Sequence, residues 1–312
     1  MSYTNQRIAY GNTLVELGKE NPNVVVLDAD LGGSTMGKMF EQAYPERHYE
    51  MGIAEANMTS VAAGLAQTGK IPFTNSFAVF SAGRAYDQIR QTIAIGKLNV
   101  KICGSSAGMS DFGDGATHQS VEDMAIMRAI PNMTVLCPAD ANETVEAVKA
   151  MAEMKGPCYI RLNRNDYPNV TEEGREFKIG EPQLLKDGTD IVVFATGYMV
   201  GLALQAAEEL KEEISVKVVN ISTIKPMNTE AIINLTKGCK AVVTAEEHSV
   251  IGGLGSAISE VLRKECKPIE YVGINDTFGC SAHNYKDVLA YHGLTKEHIV
   301  ETIKTMNGQE EK

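Results

Sequence analysis

Glu55 lies in the run Glu50-Met-Gly-Ile-Ala-Glu-Ala-Asn-Met-Thr59, after a small apolar turn and ahead of the alanine-rich stretch Val61-Ala-Ala-Gly-Leu-Ala66. A carboxyl walled off from water at such a place would favour its neutral form, which suits proton transfer. The same residue also fits the first turn of a helix, where an acidic side chain complements the helix dipole. A second chemically capable group is His118, which ends the polar, glycine-rich loop 104–118. A neutral imidazole there can both donate and accept hydrogen bonds.

Two glycine motifs invite a nucleotide-binding interpretation. Gly252-Gly-Leu-Gly255 precedes a helical pattern, but the third glycine of a dinucleotide fingerprint would fall at Ile258. A helix-initiating turn explains these glycines better. Gly113-Asp-Gly115, followed later by Asn142, is similar to a diphosphate and magnesium motif. It sits inside a polar loop instead of ending an apolar strand, so it reads as a decoy.

The elements that position these groups alternate. Apolar strand patterns at 24–30, 71–77, 100–104, 134–137 and 158–162 are interleaved with helical patterns at 83–95, 121–129 and 142–153. Such alternation predicts an α/β fold with a mostly parallel, doubly wound sheet. From 166 to 188 the pattern fades into prolines, glycines and charges, and reads as a linker. A second alternation follows, with strands at 190–194, 216–220, 241–244 and 269–272 and helices at 200–212, 229–235, 254–264 and 296–305. Two doubly wound domains are therefore expected, at 1–165 and 189–312, with a polar, frayed tail at 307–312.

Bulk properties narrow the function class. The chain has 312 residues, is 44% apolar and 22% charged, and has a net charge of −11. No Lys/Arg cluster suggests a nucleic-acid surface, no apolar run approaches the roughly 18 residues of a membrane span, and the start lacks a secretory pattern. The six cysteines, at 103, 137, 158, 239, 266 and 280, form no Cys-x-x-Cys pair and read as reduced thiols of a cytoplasmic protein.

The ordered motifs as a set resemble those of the transketolase family. They are Asp30-Leu-x-x-Ser34, Gly52-Ile-Ala-Glu-Ala-Asn-Met58, Ser76-Phe-x-x-Phe80, Asp114-Gly-Ala-Thr-His118-Gln, Pro131-Asn-Met and Leu162-Asn-Arg164, then Ile224-Lys-Pro-Met-Asn228 and Ala245-Glu-Glu-His-Ser249 ahead of the glycine turn. The match covers essentially the whole chain. It resembles the family's pyrimidine-binding and C-terminal domains, as in the second subunit of a transketolase encoded in two pieces.

The resemblance implies transfer of a two-carbon ketol unit between sugar phosphates of the pentose phosphate type. Catalytic roles fall to Glu55, on the aminopyrimidine nitrogen of thiamine diphosphate, and to His118, near the donor's terminal hydroxyl. Phe77 and Phe80 would wall the pyrimidine ring, and Asp30 and Leu31 would touch the cofactor. Asp114 would read a sugar hydroxyl, and Arg7, Ser34 and Arg164 would anchor sugar phosphate. Arg161 would either assist them or face solvent. Magnesium ligands are implied on a partner, an N-terminal diphosphate-binding subunit, with none on this chain. A homodimer core within a heterotetramer is the implied assembly.

The sequence also departs from the family pattern. The diphosphate domain is absent, and Gly83 stands where many relatives carry another aromatic. The loop 104–113 is about two residues longer than in full-length relatives, and Gly104 or Ser105 replaces a phosphate-contacting histidine. Two enzyme alternatives share the pyrimidine domain: a 1-deoxyxylulose-5-phosphate synthase-like protein and a 2-oxo-acid decarboxylase beta subunit. The Asp114 to His118 loop favours transketolase over the oxo-acid enzymes. A non-catalytic assembly or regulatory subunit is the alternative of another class, and the joint presence of Glu55, Phe80, His118 and Arg164 speaks against it.

Overall fold

The computed structural model describes residues 3–308. The end of the polar tail, from 309 onward, and the first two residues of the start lie outside the described residues. Among the described residues there are fourteen strands: β1 Tyr3–Asn5, β2 Val24–Asp28, β3 His48–Glu50, β4 Ile71–Phe77, β5 Lys101–Ser105, β6 Thr134–Leu136, β7 Cys158–Arg161, β8 Asp166–Pro168, β9 Gln183–Lys186, β10 Ile191–Ala195, β11 Val216–Asn220, β12 Thr223–Lys225, β13 Ala241–Ser249 and β14 Ile269–Ile274.

They form two main sheets, and the α/β architecture is as expected. The first has the order β12-β6-β7-β5-β4-β2-β3 and is parallel throughout except for β12. The second has the order β14-β13-β10-β11-β9, parallel except for β9. Strands β2, β5 and β10 are buried along their whole length, which is why β2 up to Leu27 and all of β10 read as apolar runs, while β5 buries Lys101 and Ser105 as well.

Four features go beyond the sequence patterns. The stretch 166–188, read as a linker, holds β8, paired with β1, and β9, at the edge of the second sheet. Strand β12 follows β11 of the second sheet yet crosses over to pair with β6 of the first. One apolar cluster joins Met124, Met133 and Val135 to Val192, Phe194 and Val219, so the two sheets share packing. The helix Gln6–Glu20 also escaped the pattern, because its buried face includes Gln6, Gly11, Thr13 and Gly18.

Candidate functional site

Glu55 opens the helix Glu55–Gln67, as its position suggested, and is 1% exposed. Its surroundings are not purely apolar. Arg84 Nη1 donates to both of its carboxylate oxygens at 2.8 Å. Arg84 follows Phe80 by four residues on a wide, π-type helical turn, Val79–Arg84. That winding brings the guanidinium carbon to 4.4 Å from the Phe80 ring centre, a cation–π contact. Turns of this kind recur at functional sites.

The remaining aromatic wall is contiguous with this pair. The Phe77 and Phe80 rings are nearly parallel, with centroids 6.1 Å apart. His118 meets both edge-on, at 6.2 Å from Phe77 and 5.4 Å from Phe80. Glu55, Arg84, Phe80, Phe77 and His118 thus form one cluster at the carboxyl end of β4, where open α/β sheets place ligands. Asp114 is exposed and precedes the short turn Gly115–Thr117 that leads to His118. It ends no strand, in keeping with the decoy interpretation of Gly113-Asp-Gly115.

A second cluster is cationic. Arg7 Nη1 donates to the Ser34 carbonyl at 2.6 Å, and Arg7 Nη2 to the Arg164 carbonyl at 3.0 Å. The Arg7 Nε is buried without a partner. Burial, and then the charge of Arg164, hold the Arg7 guanidinium below its ordinary value. Arg164 Nη1 lies 2.6 Å from Asp111 Oδ2, an ion pair off hydrogen-bond alignment. The charge of Arg164 and the unpartnered Nε leave Arg7 able to take an anion.

Asp30 and Leu31 follow β2 on the loop that leads into the short helix Gly32–Thr35. The Asp30 backbone is left-handed, with φ 58°. Glu50 Oε1 accepts the N–H groups of Asp30 and Gly52, both at 2.8 Å, and so ties this loop to the turn before Glu55. Beneath it, His48 Nε2 is 2.8 Å from Asp28 Oδ2, and Thr35 Oγ1 donates to Asp28 Oδ1 at 2.9 Å. Burial pulls the His48 imidazole down, but the hydrogen bond and charge of Asp28, with Glu41 and Glu50, leave it above the ordinary histidine value.

Arg161 is corrected by the structure. It neither faces solvent nor joins the anion cluster. It is buried, with Nε donating to Asp123 at 2.9 and 3.1 Å and Nη2 to the Glu247 carbonyl at 2.8 Å. The glycine turn behaves as a helix start: Glu246 accepts the N–H groups of Leu254 and Gly255, each at 2.7 Å. A side chain at Gly253 would collide with that carboxylate. Burial raises the Glu246 carboxyl to about 7 and lowers the His248 imidazole to about 4.

Sequence reasoning missed Arg84, whose signal was its spacing of four from Phe80. A helix read from 83 placed the boundary between the two. Among the described residues, no group of three or more His, Cys, Asp or Glu side chains is placed to hold a metal ion. No described helix is long and apolar enough to cross a membrane. All six cysteines are free thiols.

Comparison with known proteins gives two family matches. Residues 3–170 match the transketolase pyrimidine-binding domain, and residues 180–299 match the transketolase C-terminal domain. A solved structure described as a split gene transketolase, inactive beta4 tetramer, shares 46% identity with a TM-score of 0.89, covering 98% of this chain and 99% of that one. A 6-deoxy-6-sulfo-D-fructose transketolase subunit of Clostridium sp. (strain MSTE9) is 45% identical over 88% of this chain and 85% of its own. One of the apulose-4-phosphate transketolase subunits of Phocaeicola vulgatus is 35% identical over 95% of each chain.

Proposed function

Since the chain belongs to the transketolase family, we propose that it is the pyrimidine-domain subunit of a two-chain transketolase, moving a two-carbon ketol unit between sugar phosphates. The supporting observation is the cluster in which a buried carboxylate, Glu55, is linked through Arg84 to the Phe80 ring, which in turn meets Phe77 and His118. In this proposal residues 1–165 form the cofactor-facing domain and 189–312 the C-terminal domain, with the connecting stretch 166–188 lending β8 to pair with β1 and β9 to the second sheet.

These residues fit the aminopyrimidine end of thiamine diphosphate. An aromatic wall holds a flat heterocycle by stacking and keeps water away, and a carboxyl beside it can share a proton with a ring nitrogen. The two rings are too close for a third to slip between them, so the heterocycle takes a free face. Arg84 now lies over Phe80 and against Glu55, and its half-exposed side chain can swing aside. When bound, thiamine diphosphate supplies the carbon nucleophile and electron sink for cleaving a ketose carbon–carbon bond. Its magnesium would be held, with the diphosphate, by the N-terminal partner subunit.

This chain's own residues have separable tasks in the proposal. Glu55 holds a proton at the ring nitrogen. His118 exchanges hydrogen bonds with the donor's hydroxyl, and Asp114 accepts from a sugar hydroxyl. Arg7 and Arg164, with Ser34, hold the phosphate, which would neutralise the repulsion between the two guanidiniums and give Arg7 Nε an acceptor. Asp30 and Leu31 line the cofactor's bend. The subunit would work in the cytoplasm as a homodimer core within a heterotetramer; of this, the need for a partner chain is supported by relatives named as subunits or as a split-gene product.

The test combines the purified chain with its partner, thiamine diphosphate, magnesium, xylulose 5-phosphate and ribose 5-phosphate. Ketol transfer is expected, and its absence would end the proposal. Unchanged activity in Glu55→Gln would remove Glu55 from the chemistry. A pyruvate-dependent assay separates the related synthase and decarboxylase activities.

A further inference from the structure

Glu247 lies on β13 of the second sheet and is buried. Nothing in the chemistry above uses it, yet its carboxylate accepts three hydrogen bonds. Met109 N–H donates to Oε1 at 2.7 Å. Tyr285 Oη and Asn163 Nδ2 donate to Oε2 at 2.7 and 3.2 Å. Its partner Met109 belongs to the loop 106–119, the segment that carries Asp114 and His118. Gly108 is left-handed at φ 62°, and a Cβ there would come within 2.5 Å of Glu247 Oε1, so the backbone reaches the carboxylate only because the residue is glycine.

Other contacts fasten the same loop to the same half of the chain. Ala282 N–H donates to the Phe112 carbonyl at 2.9 Å, and Gln119 Nε2 to the Cys280 carbonyl at 3.0 Å. Phe112 packs against the second sheet's apolar core. Asn163 and Arg164 are adjacent, so the carboxylate also steadies the segment after β7 that presents the anion-facing guanidinium. Arg161 Nη2 fixes the Glu247 backbone itself by donating to its carbonyl at 2.8 Å.

We propose that Glu247 is a positioning residue: from the second half of the chain it clamps the loop 106–119 so that Asp114 and His118 face the donor sugar. It touches neither cofactor nor sugar. Because Oε1 and Oε2 serve different partners, a carboxylate suits this place better than any neutral side chain. The sugar-facing geometry is thereby set by a domain that contributes no aromatic or basic group to the pyrimidine cluster. This inference rests on the functional proposal for its kinetic consequence, but the clamp itself does not.

Two measurements separate the clamp from the function. Hydrogen exchange on the full chain reads the clamp without any assay of activity. In Glu247→Ala, exchange at Met109 and across 107–119 is expected to accelerate at least tenfold, with β2 and β4 unchanged. Glu247→Gln, which keeps the volume and one acceptor, should fall between Ala and wild type, and Tyr285→Phe should act in the same direction. In the two-chain assembly, Glu247→Ala should raise KM for the sugar phosphates at least fivefold. Its thiamine diphosphate affinity should stay within twofold of wild type. Acceleration spread over the whole chain, or no acceleration in the loop, would overturn the clamp. So would equal losses in cofactor affinity and sugar KM. A wild-type assembly with no ketol transfer would instead defeat the functional proposal, leaving the exchange result to decide the clamp alone.

Discussion

Arg84 Nη1 lies 2.8 Å from both carboxylate oxygens of Glu55, while the same guanidinium caps the Phe80 ring at 4.4 Å. One side chain therefore covers the two surfaces that a stacked aminopyrimidine would need. Arg84→Met keeps an apolar stem over Phe80 and frees the carboxylate. The variant should bind thiamine diphosphate at least threefold more tightly in the two-chain assembly, read by calorimetric titration. Because Glu55 is 1% exposed and loses its cation while the Arg84 side chain is 47% exposed, the loss of stability should fall between a surface and a fully buried pair, about 1–3 kcal/mol. Weaker cofactor binding would show that Arg84 assists the ring instead of yielding to it.

Phe80→Ala removes the more exposed of the two stacked rings and the surface under Arg84. Cofactor affinity should fall roughly tenfold, about 1.4 kcal/mol, a reasonable share for one aromatic contact. Thermal unfolding of the lone chain should change little, since Phe80 is only partly buried. A large loss of stability with unchanged affinity would assign the ring to packing alone.

Arg164→Ala tests the anion cluster. Steady-state kinetics should show KM for sugar phosphates raised roughly tenfold with a much smaller change in kcat, because a charge-assisted phosphate contact is lost without touching the reacting carbon. The buried Asp111 also loses its ion-pair partner. An unchanged KM would mean that phosphate is held elsewhere.

Arg161→Met breaks a fully buried pair. Asp123 would remain buried without its guanidinium, although Tyr159 Oη still donates to it at 2.8 Å. Urea unfolding should report a loss of about 3–5 kcal/mol. A near-neutral result would place Arg161 outside the buried network described above.

The His48–Asp28 pair predicts a pH dependence. The folded-state pKa of His48 is raised, so the pair's contribution is fully present below the unfolded value near 6.5 and is lost as pH rises through the folded value. The stability gap between wild type and His48→Gln should accordingly be larger at pH 6 than at pH 9. Equal gaps in thermal melts at the two pH values would remove the charge from the account.

Much of the fold was legible because the strands are short and buried on both faces. The predicted strand 71–77 and the observed β4 coincide, as do 216–220 and β11. Helix Gln6–Glu20 hid behind polar and small buried residues, and β12 is too short to show a period. The structure brings Glu55, Phe77, Phe80 and His118 together. The pairings of Arg84 with Glu55 and of Met109 with Glu247 were invisible for another reason. They join residues 29 and 138 positions apart, distances over which no local periodicity operates. Arg161 misled because a lone arginine on a strand looks the same whether its partner is water or a carboxylate.

Strand β12 has a bearing on whether the two regions could stand apart. It is made by the second half but seals the edge of the first half's sheet at β6. A gene broken between the two family regions would give an N-terminal product with bare backbone along Thr134–Leu136, a template for sticking to its own kind. Cutting the chain there would therefore turn a covered edge into an adhesive one, so the second region shields the first against self-association.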